Sequence, residues 1–389
     1  MMRYLTFPAS CCIALLWMSP VYGQDARRIH EQAIVVDSHN DVLYQSVMRG
    51  KDIGQRINSG HTDLPRIKAG GIDVQVFAVW CNEKYGKGTA FAHANKQIDG
   101  LMKVISRYPD DIMLATDAVS ARQIAEQGKI AAIIGIEGGH MIEARIDYLD
   151  SLFKRGARYL TLTWNNSVEW ATSATDETRK PNTLKHKGLT DFGRQVVRRM
   201  NELGMMIDLS HVGRQTFFDV MEITTKPVIV SHSNAYALMA HPRNLHDDQI
   251  KAVAKNGGVI CLNFYSGFLD PMHYTKINRF YAKYVTANDS VKRSSDAKYD
   301  RLPAVAKEQL RPPLSLLLDH IDYMVKQAGI DHVGIGSDFD GINATPKGLD
   351  DCSDFPKITE GLLTRGYTEP QIRKILGENM LRVMAAQKN

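Results

Sequence analysis

The sequence predicts an α/β protein, a (β/α)₈ TIM barrel with an insertion after the seventh strand. Three observations carry that prediction. Eight short, mostly apolar runs recur along the chain. Stretches with helical periodicity separate them, the pattern of parallel strands joined by crossover helices. Acidic and imidazole side chains follow the carboxyl ends of several of these runs, where a barrel carries its chemistry.

The first run is Ile34–Asp37, in the stretch AIVVDSHNDV. A short helix at Leu64–Lys68, closed by Gly70-Gly71, leads to the second run, Asp73–Trp80. An amphipathic stretch, Phe91–Tyr108, leads to the third, Ile130–Ile136, and helix Ile146–Lys154 to the fourth, Arg158–Trp164. Between Leu189 and Leu203, apolar residues at 189, 192, 196, 197, 200 and 203 keep a helical period that Gly204 ends. The fifth run, Met205–Leu209, follows at once. Helix Arg214–Ile223 precedes Pro227–Val230, and helix Asp247–Lys255 precedes Val259–Phe264. Helix Leu314–Gln327 leads to the eighth run, His332–Ile335, and Glu369–Ala386 forms the terminal helix. The irregular piece is Ser266–Pro313, basic and tyrosine-rich, leaving the carboxyl end of strand seven. Its length and place favour a partly helical lid at the mouth of the barrel, with a merely decorative insertion as the alternative.

Residues 1–23 read as a secretory signal. Arg3 is the only charge before Asp25, Cys12–Trp17 is apolar, and Val21-Tyr22-Gly23 fits a small-residue cleavage site. Residues 24–389 then form one domain, expected outside the cytoplasm and, for a bacterial chain, in the periplasm. No later apolar run is long enough to span a bilayer. The net charge of +5 includes Arg3, and no basic stripe points to nucleic acid. Cys81, Cys261 and Cys352 allow at most one bridge, and buried free thiols are expected.

His39 and Asp41 are two residues apart on an extended chain and so project together. Glu137 ends the third run, in IGIEGGH; His211 follows the fifth, in DLSHV; His232 follows the sixth, in VSHSN. Five such groups are too many for one tetrahedral site with an open position, but they suit two metals bridged by a carboxylate. Glu137, between the two pairs in chain order, can bridge. Imidazole and carboxylate without thiolate suit Zn²⁺, with Mn²⁺ or Co²⁺ as alternatives. Such a pair would lower the pKa of a bridging water to give a hydroxide nucleophile. Asp338, in GSDFDG after strand eight, is then free to move protons. His140 reads as a loop residue, and Asp340 as part of a structural turn.

HNDV, GHTDLPRIKAGGIDVQVFAVW, IEGGH, YLTLTW, IDLSHV, VSHSNA, HPRN and GSDFDG, in this order, resemble the membrane (renal) dipeptidase family, peptidase family M19. The resemblance runs from about Ile34 to the C-terminus. It implies a barrel of the amidohydrolase superfamily with one metal on His39, Asp41 and Glu137, and the other on Glu137, His211 and His232. It implies Asp338 as the catalytic aspartate and Arg243 as the grip on a dipeptide's terminal carboxylate. A tyrosine near the substrate matches Tyr265. Animal members carry a histidine in a TLTH segment that holds the scissile carbonyl. Here TLTW puts Trp164 in its place, followed by Asn165, so an oxyanion would be met by a metal, the indole N–H or an asparagine amide.

The resemblance implies a zinc dipeptidase acting on small dipeptides, with a D-residue tolerated at the C-terminal position. Other binuclear amidohydrolase activities, on lactones, esters or N-acyl amino acids, are the alternative, and Arg243 discriminates between them. A non-catalytic binding protein is the remaining one, with the substitution at Trp164 its sole support. Animal relatives are lipid-anchored dimers; Ala385–Asn389 shows no anchor signal, and a homodimer is an open expectation.

Overall fold

The computed structural model describes residues 19–284 and 294–388. Its nine strands, all parallel, are β1 (Val36–Asp37), β2 (Val74–Trp80), β3 (Ile112–Leu114), β4 (Ile130–Glu137), β5 (Ala157–Thr161), β6 (Met206–Asp208), β7 (Ile229–Val230), β8 (Val259–Leu262) and β9 (Val333–Ile335). Eight of them run β1-β2-β4-β5-β6-β7-β8-β9 around a nearly closed barrel. The seam between β9 and β1 is held by single hydrogen bonds, Ser38 N–H to Ile335 O at 3.1 Å and Asp41 N–H to Phe339 O at 2.9 Å. Asp37 reinforces it, accepting from the Ser337 amide at 2.8 Å and the Ser337 hydroxyl at 2.7 Å.

The eight sequence-predicted strands are all present, several shorter than their apolar runs. Strand β3 and helix Ala118–Glu126, capped by Asp117 and Ser120, were not predicted. β3 lies beside the first half of β4, pairing Ile112 with Ile130, while β5 takes the second half from Ile134 onward. Only three residues long, with Met113 exposed, it carries too little pattern to be read as a strand.

Side chains alternate between two cores. Val74 and Val76 of β2, Ala131 and Ile133 of β4, Met206 and Val259 point into the barrel, where Met380, Val383 and Met384 of the terminal helix join them. Phe77, Val79, Ile134 and Ile136 pack outward against the helices. Helix Asp191–Leu203 shows the local logic: Thr190 caps its first turn, and Gly204, at φ 72°, ends it in the left-handed conformation.

The insertion is helical at Ser266–Leu269, His273–Tyr284, Ser295–Asp300 and Ala304–Leu310. Ile277, Tyr299, Leu302, Ala306 and Leu310 form a small core of their own with Tyr265, Phe268 and Ala344. Residues 1–18, most of the expected signal, lie outside the described residues, and helix Ser19–Gln32 runs through the expected cleavage point. Cys81, Cys261 and Cys352 are buried and unbridged. No helix among the described residues is long and apolar enough to cross a membrane.

Candidate metal centre and substrate cavity

His39, Asp41, Glu137, His211 and His232 meet at the carboxyl end of the barrel, all buried. The two oxygens of Glu137 face different partners. Oε2 lies 3.5 Å from His39 Nε2, whereas Oε1 lies 2.9 Å from His211 Nε2 and 3.6 Å from His232 Nε2. Asp41 Oδ2 is 3.5 Å from His39 Nε2 on the first side. Glu137 therefore stands between two sides, while His39 links them: donor atoms of His39, Glu137 and His232 lie within 4.8 Å of one another, as do those of His39, Asp41 and Asp338.

Each imidazole is fixed through its other nitrogen. His39 Nδ1 lies 2.8 Å from the Tyr159 hydroxyl, His232 Nδ1 lies 2.8 Å from Ser231 Oγ, and His211 Nδ1 lies 3.2 Å from Asn165 Oδ1. Ser231 in turn donates to Asp208 at 2.6 Å. An amide oxygen only accepts, so His211 carries its proton on Nδ1; the Ser231–Asp208 bond assigns His232 the same tautomer. Their Nε2 lone pairs then face each other at 3.0 Å with no proton between them. His39 Nε2 and Asp41 Oδ1 are likewise buried without a hydrogen-bond partner among the described residues. Acceptors converging in this way repel one another unless cations lie among them, and the donor set fits divalent metal.

The electrostatics agree. Burial, with the Arg243 charge nearby, pulls His211 down to about 3, and burial with the charge on His39 holds His232 well below the ordinary histidine value. Both are neutral, the form that ligates metal. Burial opposes charge on Glu137, but His39 and His211 outweigh it and hold the carboxyl well below its usual range. Burial and the Glu137 charge raise Asp41 to about 6. Burial also opposes a charge on His39, yet Tyr159, Glu137 and Asp41 keep its pKa well above normal. The buried carboxylates draw positive charge into this pocket, here as a proton on His39.

Backbone strain marks the same place. His211 and Asp338 adopt φ of 66° and 60°, the left-handed region that β-carbons disfavour. Glycine makes room elsewhere: a Cβ on Gly135 would meet the Tyr159 ring at 2.1 Å, so this β4 position lets the phenol cross the barrel to His39.

The centre opens into a cavity of about 750 Å³. Asp338 lines it, with Oδ2 accepting from Asn263 Nδ2 at 2.7 Å; burial, with Asp41 and Glu137 nearby, raises its pKa to about 8. Arg243 also lines it, buried, donating to Ser233 Oγ at 3.2 Å and to the His232 carbonyl at 3.1 Å. Burial lowers its pKa only to about 10, so it stays charged at neutral pH. Trp164, Asn165 and Tyr265 are in the wall as well. Trp164 stands edge-on to Trp80, with 5.0 Å between centroids, while Asn165 has its carbonyl oxygen engaged by His211. Tyr265 donates to Asp296 of the insertion at 2.5 Å. His140 hydrogen-bonds the Cys81 carbonyl at 2.9 Å, a loop role. Asp340 accepts from the His61 amide at 2.9 Å, tying down a neighbouring loop, and also borders the cavity.

Sequence reading did not identify Tyr159, Ser231, Asp208 or Asn263. One signal was available: Asp208 is an acid inside an apolar strand. Tyr44, Trp80, Arg179, Tyr274 and Asp296 also line the wall and were likewise not singled out.

A parallel barrel with histidines and carboxylates gathered at its carboxyl end defines a metal-dependent hydrolase. The chain belongs to the membrane dipeptidase family, peptidase family M19, whose model matches residues 23–389. It is a metallodipeptidase of that family. It is similar to the crystal structure of the probable dipeptidase PvdM from Pseudomonas aeruginosa, at 26% identity and a TM-score of 0.79, covering 95% of this chain and 98% of that one. A dipeptidase AC of family M19 gives 26% identity and a TM-score of 0.76, covering 91% and 98%. A metallopeptidase from Rhodobacter sphaeroides, solved with a phosphinate mimic of the dipeptide L-Ala-D-Ala, gives 25% and 0.75, covering 92% and 100%.

Proposed function

We propose that this chain is a secreted, binuclear zinc dipeptidase that hydrolyses free dipeptides and tolerates a D-residue at the C-terminal position. The observation that carries the binuclear reading is the split of Glu137, with one oxygen toward His39 and the other toward His211 and His232. His39, Asp41 and Glu137 would hold one ion, and Glu137, His211 and His232 the other. Zinc suits nitrogen and oxygen donors without thiolate, and Mn²⁺ or Co²⁺ fits the same set. Bound there, the two cations supply an activated water and polarise the scissile carbonyl.

The chain's own residues do the rest. Arg243, fixed by Ser233 and the His232 carbonyl, receives the substrate's terminal carboxylate on a preorganised guanidinium. That contact restricts cleavage to the bond one residue from a free C-terminus. In its ionised form Asp338 accepts the proton released from water and passes it to the departing amine. Asn263 holds one Asp338 oxygen and leaves the other for that transfer. The dipeptide mimic bound by the Rhodobacter relative supports D-residue tolerance. The leader-like residues 1–23 support export, to the periplasm in a bacterial cell.

The test is hydrolysis of L-Ala-L-Ala, L-Ala-D-Ala and an N-acetylated, amidated control by zinc-reconstituted enzyme and by Arg243→Ala. The reading expects cleavage of both free dipeptides, loss with chelator, and a drop of roughly 10–100-fold in kcat/KM in the variant. Equal turnover of the blocked control, indifferent to Arg243, would overturn it.

A further inference from the structure

We propose that Asp296, carried into the cavity wall by the insertion, makes this enzyme favour dipeptides whose C-terminal residue has a cationic side chain. The inference rests on the dipeptidase reading, with the substrate carboxylate on Arg243. From that anchor the wall can be followed outward. The Arg243 guanidinium sits 5.4 Å over the Phe268 ring. Phe268 meets Tyr265 edge-on at 4.9 Å, and the Tyr265 hydroxyl donates to Asp296 Oδ1 at 2.5 Å. The wall beside the carboxylate anchor is thus aromatic first and ends on a carboxylate. A lysine side chain has the same order, an apolar stem followed by an ammonium tip.

Arg179 is the other charge lining the cavity on this side, and it acts near His241 and Tyr274. It is exposed, at the end of helix Ala174–Arg179, and no hydrogen bond fixes its head among the described residues. Asp296 is exposed too, but the Tyr265 hydroxyl holds it in one orientation. An ordered charge gains more from an ion pair than a freely rotating one, because less side-chain entropy remains to be lost.

The experiment measures kcat/KM of the full chain for L-Ala-L-Lys, L-Ala-L-norleucine, L-Ala-L-Glu and L-Ala-L-Ala. The expected result is Lys above norleucine, and Lys above Glu by about tenfold, shrinking in 1 M salt. Asp296→Asn, which keeps an acceptor for Tyr265, should bring the Lys/Glu ratio to within about twofold of unity, and Asp296→Lys should invert it. A wild-type ratio near or below one, or a ratio that neither variant changes, would overturn the proposal. Either variant could fold poorly, so the wild-type series and its salt dependence are decisive alone. Cleavage of L-Ala-L-Ala without charge selectivity defeats this inference only; no cleavage of any dipeptide defeats the reading beneath it.

Discussion

The Tyr159 hydroxyl lies 2.8 Å from His39 Nδ1, and both groups are fully buried inside the barrel. Tyr159 comes from β5 and His39 from the loop after β1, so the contact spans the barrel interior. It aims His39 Nε2 at Asp41 and Glu137. A ring held at one nitrogen presents the other to a metal in a single orientation, without losing further rotamer freedom on binding.

Tyr159→Phe removes that hydrogen bond and the hydroxyl's longer one to the Ser38 carbonyl, at 3.4 Å. Metal affinity should fall about 10–100-fold, the usual cost of losing such a partner. Competition with a chromogenic chelator measures it. Unchanged affinity would mean that packing alone orients His39.

Gly135→Ala should be worse for the fold. Its new methyl would lie 2.1 Å from the Tyr159 ring, which is fully buried in the barrel interior. Overpacking of this kind costs about 1–3 kcal/mol, and the displaced phenol should weaken metal binding as well. Thermal unfolding and metal retention should fall together. A stable variant with wild-type metal affinity would show that Tyr159 can shift without releasing His39.

Asp338→Asn tests proton transfer separately from binding. The amide cannot shuttle a proton, so kcat should drop by roughly 10²–10⁴ while metal content and KM stay close to wild type. Pre-steady-state and steady-state assays on L-Ala-L-Ala provide the readout. A variant with near-normal kcat would assign proton transfer to another group.

The barrel and its chemistry were legible in the sequence for one reason. A parallel barrel delivers every strand's carboxyl end to the same face, so HNDV, IEGGH, DLSHV, VSHSN and GSDFDG had to converge. What was hidden depends on closure. Tyr159 meets His39, and Asn263 meets Asp338, only after strands far apart in sequence become neighbours across the barrel. Asn165 was expected at the substrate; it lines the cavity, and its side-chain oxygen also orients His211, a pairing that spacing does not encode. β3 escaped because three residues carry no usable period. The insertion was expected at the mouth, and Asp296 lines the cavity there, yet no pattern in its basic, tyrosine-rich sequence marks that residue.

On the proposed binuclear reading, Glu137 would join two metal sites into one catalytic centre. The most direct measurement is metal content by mass spectrometry, taken with dipeptide turnover, for the wild-type enzyme and for Glu137→Gln. The account predicts about two divalent ions per active wild-type chain, and loss of both the second ion and activity when the bridging charge is removed. Full turnover with a single ion per chain, or two ions retained by Glu137→Gln, would contradict it.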